Sequence, residues 1–224
     1  MLKQLFIKAA LLFGKEYILD PKLPATYILG AVNKRFFMLL RGVFKKQGQV
    51  FIGKKVKMLN TRNIEIGINS TIENYVVIDG YSSKKVSFGQ STKIGAYTRV
   101  LSTSQVNKLG KGMSMGANCS VGDFSFFGCA GGIKIGDNVI MGQYVSFHSE
   151  NHNFTSSKKL IREQGVTNKG IVLGHNIWVG SKVTFLDGAA LGGNNVVAAG
   201  AVVKDKFPKN VLIGGVPARI LKHL

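Results

Sequence analysis

The chain has 224 residues, of which 45% are hydrophobic, 28 are glycine and 4 are proline. This composition excludes a disordered or collagen-like chain, because the apolar content is sufficient for a core and the glycines have no three-residue period. The 30 Lys and Arg against 11 Asp and Glu give a net charge of +19, which favours an anionic partner.

Several classes of protein lack their signatures in this sequence. There is no zinc-finger, helix-turn-helix or RNA-recognition motif, so we expect no nucleic-acid binding. No apolar run approaches the ~20 residues that span a bilayer, and no secretory signal is recognisable. We therefore expect a cytoplasmic protein in which Cys119 and Cys129 are reduced core residues.

Residues 1–46 differ from the rest of the chain and predict a helical segment. Pro21 and Pro24 separate two runs of apolar residues at helical spacing. The runs are Leu2, Leu5, Phe6, Ala9, Leu12 and Phe13, then Ile28, Val32, Phe36, Leu39, Leu40 and Val43. Two interpretations stay open: a cap on the following domain or a neighbouring subunit, and a basic amphipathic anchor on an anionic membrane surface.

From about residue 49 the apolar residues recur every six positions. The longest run without a slip is Leu173, Val179, Phe185, Leu191, Val197 and Val203. Shorter runs with the same period cover 66–78, 88–100, 115–127 and 135–147, and the phase is lost near 81–87, 107–112 and 148–170.

A period of six fits a chain that turns a corner every six residues, with three faces in a coil of about 18 residues. Such coils stack at the ~4.8 Å spacing of paired strands. The sequence therefore predicts a mainly β, parallel solenoid over residues 47–224, with a protruding loop at 148–170 and a C-terminal tail at 207–224.

The [LIV]-G-x-x-[STAV]-x hexads resemble those of the hexapeptide-repeat acyltransferases. The blocks IGDNV from Ile135, IWVGSKV, VVAAGAVVKD and IGGVPARILK resemble the sugar and polysaccharide O-acetyltransferases of that family. The resemblance implies a left-handed parallel β-helix, a homotrimer with sites between subunits, and acetyl-CoA as acyl donor.

The loop 148–170 is too long to be a simple corner, and long loops on rigid scaffolds often carry function. It contains His148 and His152. An imidazole titrates near neutral pH and can take a proton from a hydroxyl that attacks a thioester. The resemblance implies that His152, rather than His148, is the catalytic base. Glu150 and Asn151 are candidates to support it, although a solvated loop acid is the alternative for Glu150.

The resemblance also implies residues that contact CoA. Ser181 and Ala199 would lie along the pantetheine arm, with simple corner packing as the alternative. Lys204, Arg219 and Lys222 would lie near the CoA phosphates, which charged donors suit; for Arg219 and Lys222 the alternative is a solvated C-terminal tail. Where relatives often have Thr-Lys, this chain has Lys204 followed by an aspartate.

The acceptor is expected to contact Trp178 and Asn153. Strand alternation points Trp178 outward, toward a ligand or a subunit interface. Asn153 could bind sugar hydroxyls, with a role in the turns of the loop as the alternative. The γ-class carbonic anhydrases share the fold and bind zinc through three histidines. Here His175 follows the pair of loop histidines instead of one preceding them, so we expect no metal.

Together these patterns predict an acetyl-CoA-dependent O-acetyltransferase that acts on a sugar hydroxyl in surface polysaccharide or glycolipid assembly. It would be a homotrimer with a carbohydrate acceptor, cytoplasmic or peripheral at the inner face of the membrane. Two alternatives stay open. One is an N- or O-acetyltransferase of a small metabolite, such as a nucleotide-linked amino sugar or an amino acid. The other is a non-catalytic β-helix that binds or scaffolds.

Overall fold

The computed structural model describes residues 7–8, 11, 19–45, 47–102 and 108–224. The first predicted helix, over residues 2–15, lies almost wholly outside the described residues. The second is the helix α1, Ala25–Phe44, which precedes three parallel sheets.

Short strands, numbered in chain order, follow one another around three faces. Face A consists of Phe51–Ile52 (β1), Thr71–Ile72 (β4), Lys93–Ile94 (β7), Ser120–Val121 (β10), Val139–Met141 (β13), Ile177–Val179 (β18), Asn195–Val197 (β21), Val211–Gly215 (β24) and Ala218–His223 (β25). Face B consists of Lys57–Leu59 (β2), Val77–Asp79 (β5), Arg99–Leu101 (β8), Phe126–Gly128 (β11), Ser146–His148 (β14), Thr184–Leu186 (β19) and Val202–Val203 (β22). Face C consists of Ile64–Ile66 (β3), Val86–Phe88 (β6), Met113–Met115 (β9), Ile133–Ile135 (β12), Ile171–Leu173 (β17), Ala190–Leu191 (β20) and Lys206–Phe207 (β23).

Each coil contributes one strand to each face and pairs in parallel with the coils above and below. The 7-stranded faces B and C give seven coils within the described residues. The predicted left-handed parallel β-helix is thereby confirmed. The segment predicted as a C-terminal tail supplies part of β23 and the antiparallel pair β24–β25, which extends face A.

The interior is filled by columns of inward side chains, one from each coil. On face B, the ring centroids of Phe127 and Phe147 are 4.8 Å apart, and those of Phe147 and Phe185 are 4.6 Å apart. Both cysteines are free and buried, as predicted. Burial raises the pKa of the Cys119 and Cys129 thiols, which keeps them protonated and unreactive.

Three corners connect the faces. The AB corner consists of residues 53–56, 73–76, 95–98, 122–125, 142–145, 180–183 and 198–201. The CA corner consists of 67–70, 89–92, 116–119, 136–138, 174–176, 192–194 and 208–210. The BC corner consists of 60–63, 80–85, 102–112, 129–132, 149–170, 187–189 and 204–205, of which 103–107 are not described. The chain therefore makes its long excursions at the BC corner.

Four aromatic rings stack along the AB corner. The centroid distances are 4.8 Å for Tyr75–Tyr97, 4.9 Å for Tyr97–Phe124 and 5.2 Å for Phe124–Tyr144. All four residues have left-handed backbone angles, with φ from 58° to 61°. That conformation costs a side-chain-bearing residue about 1–2 kcal/mol, and stacking offsets part of this cost because each aromatic pair contributes about 0.5–1.5 kcal/mol.

Helix α1 contacts the first coils of the solenoid through its basic residues. The Lys34 Nζ is 3.1 Å from a Glu73 carboxylate oxygen. The Arg35 guanidinium donates to Thr71 Oγ1 at 2.7 Å and lies 3.7 Å from the centre of the Phe51 ring. Arg41 Nε donates to the carbonyl oxygen of Ile52 at 2.7 Å. Within the described residues, no helix is both long and apolar enough to cross a membrane.

Two glycines of α1 provide a matched test of this packing. A Cβ on Gly42 would lie 1.9 Å from the carbonyl oxygen of Val50, whereas a Cβ on Gly30 would meet nothing within 4 Å. We predict that Gly42→Ala lowers the free energy of unfolding by about 1–3 kcal/mol. Gly30→Ala should raise it by about 0.5–1 kcal/mol, because alanine favours the helix. Denaturant melts measure both, and equal effects would contradict the observed packing.

Candidate active site

An arm projects from the BC corner of the fifth coil. We call residues 149–170 the His152 arm. Its two sides pair in antiparallel fashion as Asn151–His152 (β15) and Val166–Thr167 (β16), with His152 opposite Val166. The Asn153 backbone N–H donates to the carbonyl oxygen of Gly165 at 3.0 Å and extends this ladder.

The outer part of the arm is held by two amide side chains. Asn153 Nδ2 donates to the carbonyl oxygen of Gln164 at 3.0 Å. Gln164 Oε1 accepts the Ser156 N–H at 2.9 Å, and Gln164 Nε2 donates to the carbonyl oxygens of Ser156 and Lys159, each at 2.9 Å. The Asn153 amide, predicted to bind substrate, thus serves the arm in this structure.

Both ends of the arm are fixed to the solenoid. Ser149 Oγ donates to the carbonyl oxygen of Gly128 at 2.6 Å and accepts the Gly131 N–H at 2.9 Å. The buried Asp187 carboxylate accepts the N–H groups of Lys169 at 3.0 Å and Gly170 at 2.7 Å. The arm therefore presents His152 from a braced hairpin.

The His152 imidazole is exposed on this hairpin. No hydrogen bond joins it to Glu150 or Asn151 in the part of the chain that the structure describes. A ligand hydroxyl therefore has access to the ring, and the support predicted from Glu150 and Asn151 stays a prediction. A catalytic hydrogen bond often tightens only when substrate binds.

His148 and His175, the two other histidines considered for a zinc site, lie away from the His152 arm. His148 ends β14 on face B, with its ring centroid 5.5 Å from that of Phe126, and burial lowers the pKa of His148. His175 lies on the CA corner. Among the described residues, no group of three or more His, Cys, Asp or Glu could hold a metal ion.

The residues predicted to contact CoA fall into two groups. Ser181 and Ala199 are neighbours on the AB corner of the sixth and seventh coils, where the Gly200 N–H donates to the Ser181 carbonyl oxygen at 2.9 Å. The aromatic column ends one coil below, at Tyr144, and Lys182 and Gly200 take the place of its rings. Ser181 is half-buried, and Ala199 and Gly200 are exposed, so this corner presents small residues to solvent.

The second group surrounds Asp205. Its carboxylate oxygens lie 3.7 Å from Lys204 Nζ and 3.7 Å from Arg219 Nη1. Lys222 is opposite Leu212 in the β24–β25 pair of face A. The aspartate partly neutralises Lys204 and Arg219, so a phosphate would have to compete with it for these cations.

Face B separates the two predicted parts of the site. The corner that carries Ser181 forms one edge of this face, and the corner from which the His152 arm projects forms the other. Ser181 lies before the face B strand Thr184–Leu186 of its coil, and the arm projects from the corner beyond the end of that face. Trp178 is 60% exposed on face A, beside the exposed Ile140 of the coil below. Within one chain, Trp178 therefore lies on a different face from the one between the Ser181 corner and the His152 arm.

Two lysines near this site were not predicted. Lys182 stands beside Ser181 on the AB corner, and Lys111 Nζ donates to the carbonyl oxygen of Asn168 in the His152 arm at 2.9 Å. Lys182 lies in the unbroken run of hexads and could have been found from its position beside Ser181, whereas Lys111 lies in a stretch where the phase is lost.

Comparison with known proteins supports the class of the domain. No family model matches the chain. The chain is 32% identical over 93 residues to the galactoside O-acetyltransferase of Escherichia coli, which covers 41% of this chain and 44% of that protein. It is 27% identical over 156 residues to WbbJ of E. coli, provisionally named a lipopolysaccharide biosynthesis O-acetyltransferase, covering 66% of this chain and 74% of WbbJ.

The fold matches that of a solved structure, the N-acyltransferase AntD from Bacillus cereus in complex with dTDP and 3-hydroxybutyryl-CoA. The TM-score is 0.52 at 18% identity, over 82% of this chain and 87% of that one. The chain is thus similar in sequence to two O-acetyltransferases and in fold to an N-acyltransferase. These likenesses support the resemblance indicated by the hexads, and the matched segment spans less than half the length of the galactoside enzyme.

Proposed function

We propose that the chain is an acetyl-CoA-dependent O-acetyltransferase that modifies a sugar hydroxyl during the assembly of a surface polysaccharide or glycolipid. The observation that carries the proposal is the exposed His152 imidazole on a braced arm, at the edge of a rigid face. The similarity to a galactoside O-acetyltransferase and to WbbJ supports an O-acetyl product and a carbohydrate acceptor.

In the proposed reaction, the His152 imidazole accepts the proton of the sugar hydroxyl. The hydroxyl oxygen forms a bond to the thioester carbonyl carbon, and the carbon–sulfur bond then breaks. The proton passes from the imidazolium to the departing CoA thiolate, so the base is regenerated and no acyl-enzyme is required. Backbone N–H donors near the carbonyl oxygen would stabilise the oxyanion by about 2.7–4 kcal/mol each.

The AB corner of the last coils suits the acyl donor. A pantetheine arm is an extended chain with amide groups, and accessible backbone at Ser181 and Ala199 can hydrogen-bond to it. Lys182 adds a cation beside this corner. Lys204, Arg219 and Lys222 are retained as candidates for the phosphates, with Asp205 as an internal competitor.

We further propose that the active form is a homotrimer. The His152 arm and the Ser181 corner lie at opposite edges of face B, so a neighbouring prism could bring its own corner to the arm. The exposed Ile140 and Trp178 on face A give this prism an apolar surface that a second copy could cover. Each site would then be assembled from two subunits.

The outward side of α1 suits a peripheral position at the inner face of a membrane. It exposes the large apolar side chains Tyr27, Leu29, Val32, Phe36, Phe37, Val43 and Phe44. Their burial in the headgroup region would add to the attraction between a chain of charge +19 and anionic lipid. The basic residues that hold α1 to the solenoid leave the apolar side as the inserting surface.

His152→Ala should reduce kcat for acetyl transfer by at least ~10², because the general base is lost. The measurement uses labelled acetyl-CoA and a panel of neutral and anionic sugars. His175→Ala on the CA corner is the matched control and should retain activity. A product that resists hydroxylamine would be an amide and would favour the amino-sugar alternative. Near-full activity of His152→Ala would exclude the proposed base.

A mixture of two inactive variants tests the site between subunits. His152→Ala lacks the base, and Ala199→Trp fills the donor corner. If each site combines two subunits, random mixed trimers should regain activity in about a quarter of their sites. Sedimentation verifies trimer formation. Mixed trimers without activity would place both groups in one subunit, and a monomeric active chain would contradict the proposed assembly.

Flotation with vesicles that contain anionic phospholipid tests the α1 surface. Phe36→Ser, Val43→Ser and Phe44→Ser combined should abolish co-flotation, because they remove the inserting side chains. The control combines Leu59→Ser and Ile68→Ser, two exposed apolar residues of the solenoid, and should float normally. Equal flotation of both variants would show that α1 does not bind the membrane.

A further inference from the structure

Basic residues concentrate on the corner that carries the His152 arm. The described BC corner holds ten Lys and Arg, the AB corner three and the CA corner one. Those of the BC corner are Arg62, Lys84, Lys85, Lys108, Lys111, Lys158, Lys159, Arg162, Lys169 and Lys204; the others are Lys54, Lys55 and Lys182 on the AB corner and Lys209 on the CA corner.

The acids of the BC corner do not balance this charge. They are Glu150, Glu163, Asp187 and Asp205. Asp187 is buried and accepts two backbone N–H groups, and Asp205 lies between Lys204 and Arg219 at the far end of the solenoid. The excess of positive charge therefore lies along coils one to five.

Lys111 connects this charge to the His152 arm. Its aliphatic stem lies against Gly132, where a Cβ would be 3.2 Å from the Lys111 Cβ. The ammonium group then reaches the carbonyl oxygen of Asn168 at 2.9 Å. Asn168 is two residues, about 7 Å of strand, from Val166, the residue opposite His152. A cation is thus held beside the arm that carries the proposed base.

Lys84 continues the basic surface toward the first coils. The Ser83 N–H donates to the carbonyl oxygen of Gly110 at 2.9 Å, so the segments that carry Lys84 and Lys111 stack directly. Two aromatic side chains accompany them on this corner, Tyr81 with 54% of its surface exposed and Phe154 with 74%. Exposed rings beside cations suit a ligand that has both apolar faces, as sugar rings have, and negative charge.

We infer that the acceptor is an anionic glycan, whose phosphate or carboxylate groups lie along the BC corner while a hydroxyl reaches His152. The inference rests on the proposed function and narrows its substrate class. Lys84, Lys111 and Lys169 determine the specificity for charge. Coils rise by about 4.8 Å, so charge on coils one to five extends over about 20 Å and matches a chain with repeated anionic groups better than a single anion.

The test compares binding of oligogalacturonate with binding of neutral dextran, by titration calorimetry in the absence of acetyl-CoA. The full chain should bind the anionic probe only, and more weakly as salt rises. Lys84→Met, Lys111→Met and Lys169→Met combined keep the apolar stems and should raise Kd about 10-fold or more, because three favourable charge contacts are lost.

A control variant removes the same charge elsewhere. It combines Lys54→Met on the AB corner, Lys209→Met on the CA corner and Lys134→Met on face C. Its Kd for oligogalacturonate should change less than about 2-fold. The Lys111→Arg variant keeps the charge and should bind oligogalacturonate like the full chain if the ammonium acts electrostatically. Thermal melts verify that each variant is folded.

Three results would overturn the inference. Equal weakening in the corner and control variants would show a response to net charge alone. Tighter binding to anionic vesicles or to single-stranded DNA that depends on the same lysines would assign the corner to a membrane or to nucleic acid. Normal probe binding by the corner variant, with transfer still abolished in His152→Ala, would reject the inference and leave the proposed function standing. Lysine-dependent binding together with full transfer by His152→Ala would support the anionic ligand and reject the proposed base.

Discussion

Parallel backbone pairing between successive coils is the constraint on which the rest of this structure depends. It brings adjacent corners so close that some positions admit no side chain. A Cβ on Gly122 would lie 2.5 Å from the Gln143 nitrogen of the next coil, and one on Gly131 would lie 2.0 Å from the carbonyl oxygen of Ser149. The close approach of successive coils keeps them in register and gives the His152 arm a rigid base.

The three corners meet this constraint in different ways. The AB corner is filled by the aromatic column from Tyr75 to Tyr144. On the CA corner, Asn194 accepts an amide hydrogen bond from Asn176 at 2.8 Å and donates one to Asn210 at 3.1 Å. Both arrangements require short connections with a repeated left-handed residue. The BC corner has no such column among the described residues, so it can accommodate insertions, and the proposed base and most of the corner cations are found there.

The sequence was sufficient to predict the solenoid because the inward residues repeat every six positions whatever lies outside. The three stretches of lost phase were also readable, and they correspond to connections at 80–85, 102–112 and 149–170. Their placement on one corner was not predicted, since the insertions change the number of residues per coil. Tyr75 and Tyr97 are 22 residues apart whereas Phe124 and Tyr144 are 20 apart, so the aromatic column shows no fixed period.

The site was predicted less completely than the fold. The position of His152 followed from a motif, but its lack of a described hydrogen-bond partner depends on the path of the arm. Asn153 looked available for sugar hydroxyls, yet the hairpin geometry directs its amide to Gln164. The contact of Lys111 with the arm joins residues 57 positions apart, and pairing over such a separation is fixed only when the coils stack.

The central claim is that the Ser181 corner of one subunit holds the acyl donor next to the His152 base of a neighbouring subunit. A crystal structure with bound CoA and a sugar acceptor tests it most directly. The account predicts the pantetheine along the AB corner at Ser181 and Ala199, with an acceptor hydroxyl within about 3–3.5 Å of the His152 imidazole. CoA bound away from that corner, or an acceptor out of reach of His152 from any subunit, would contradict it.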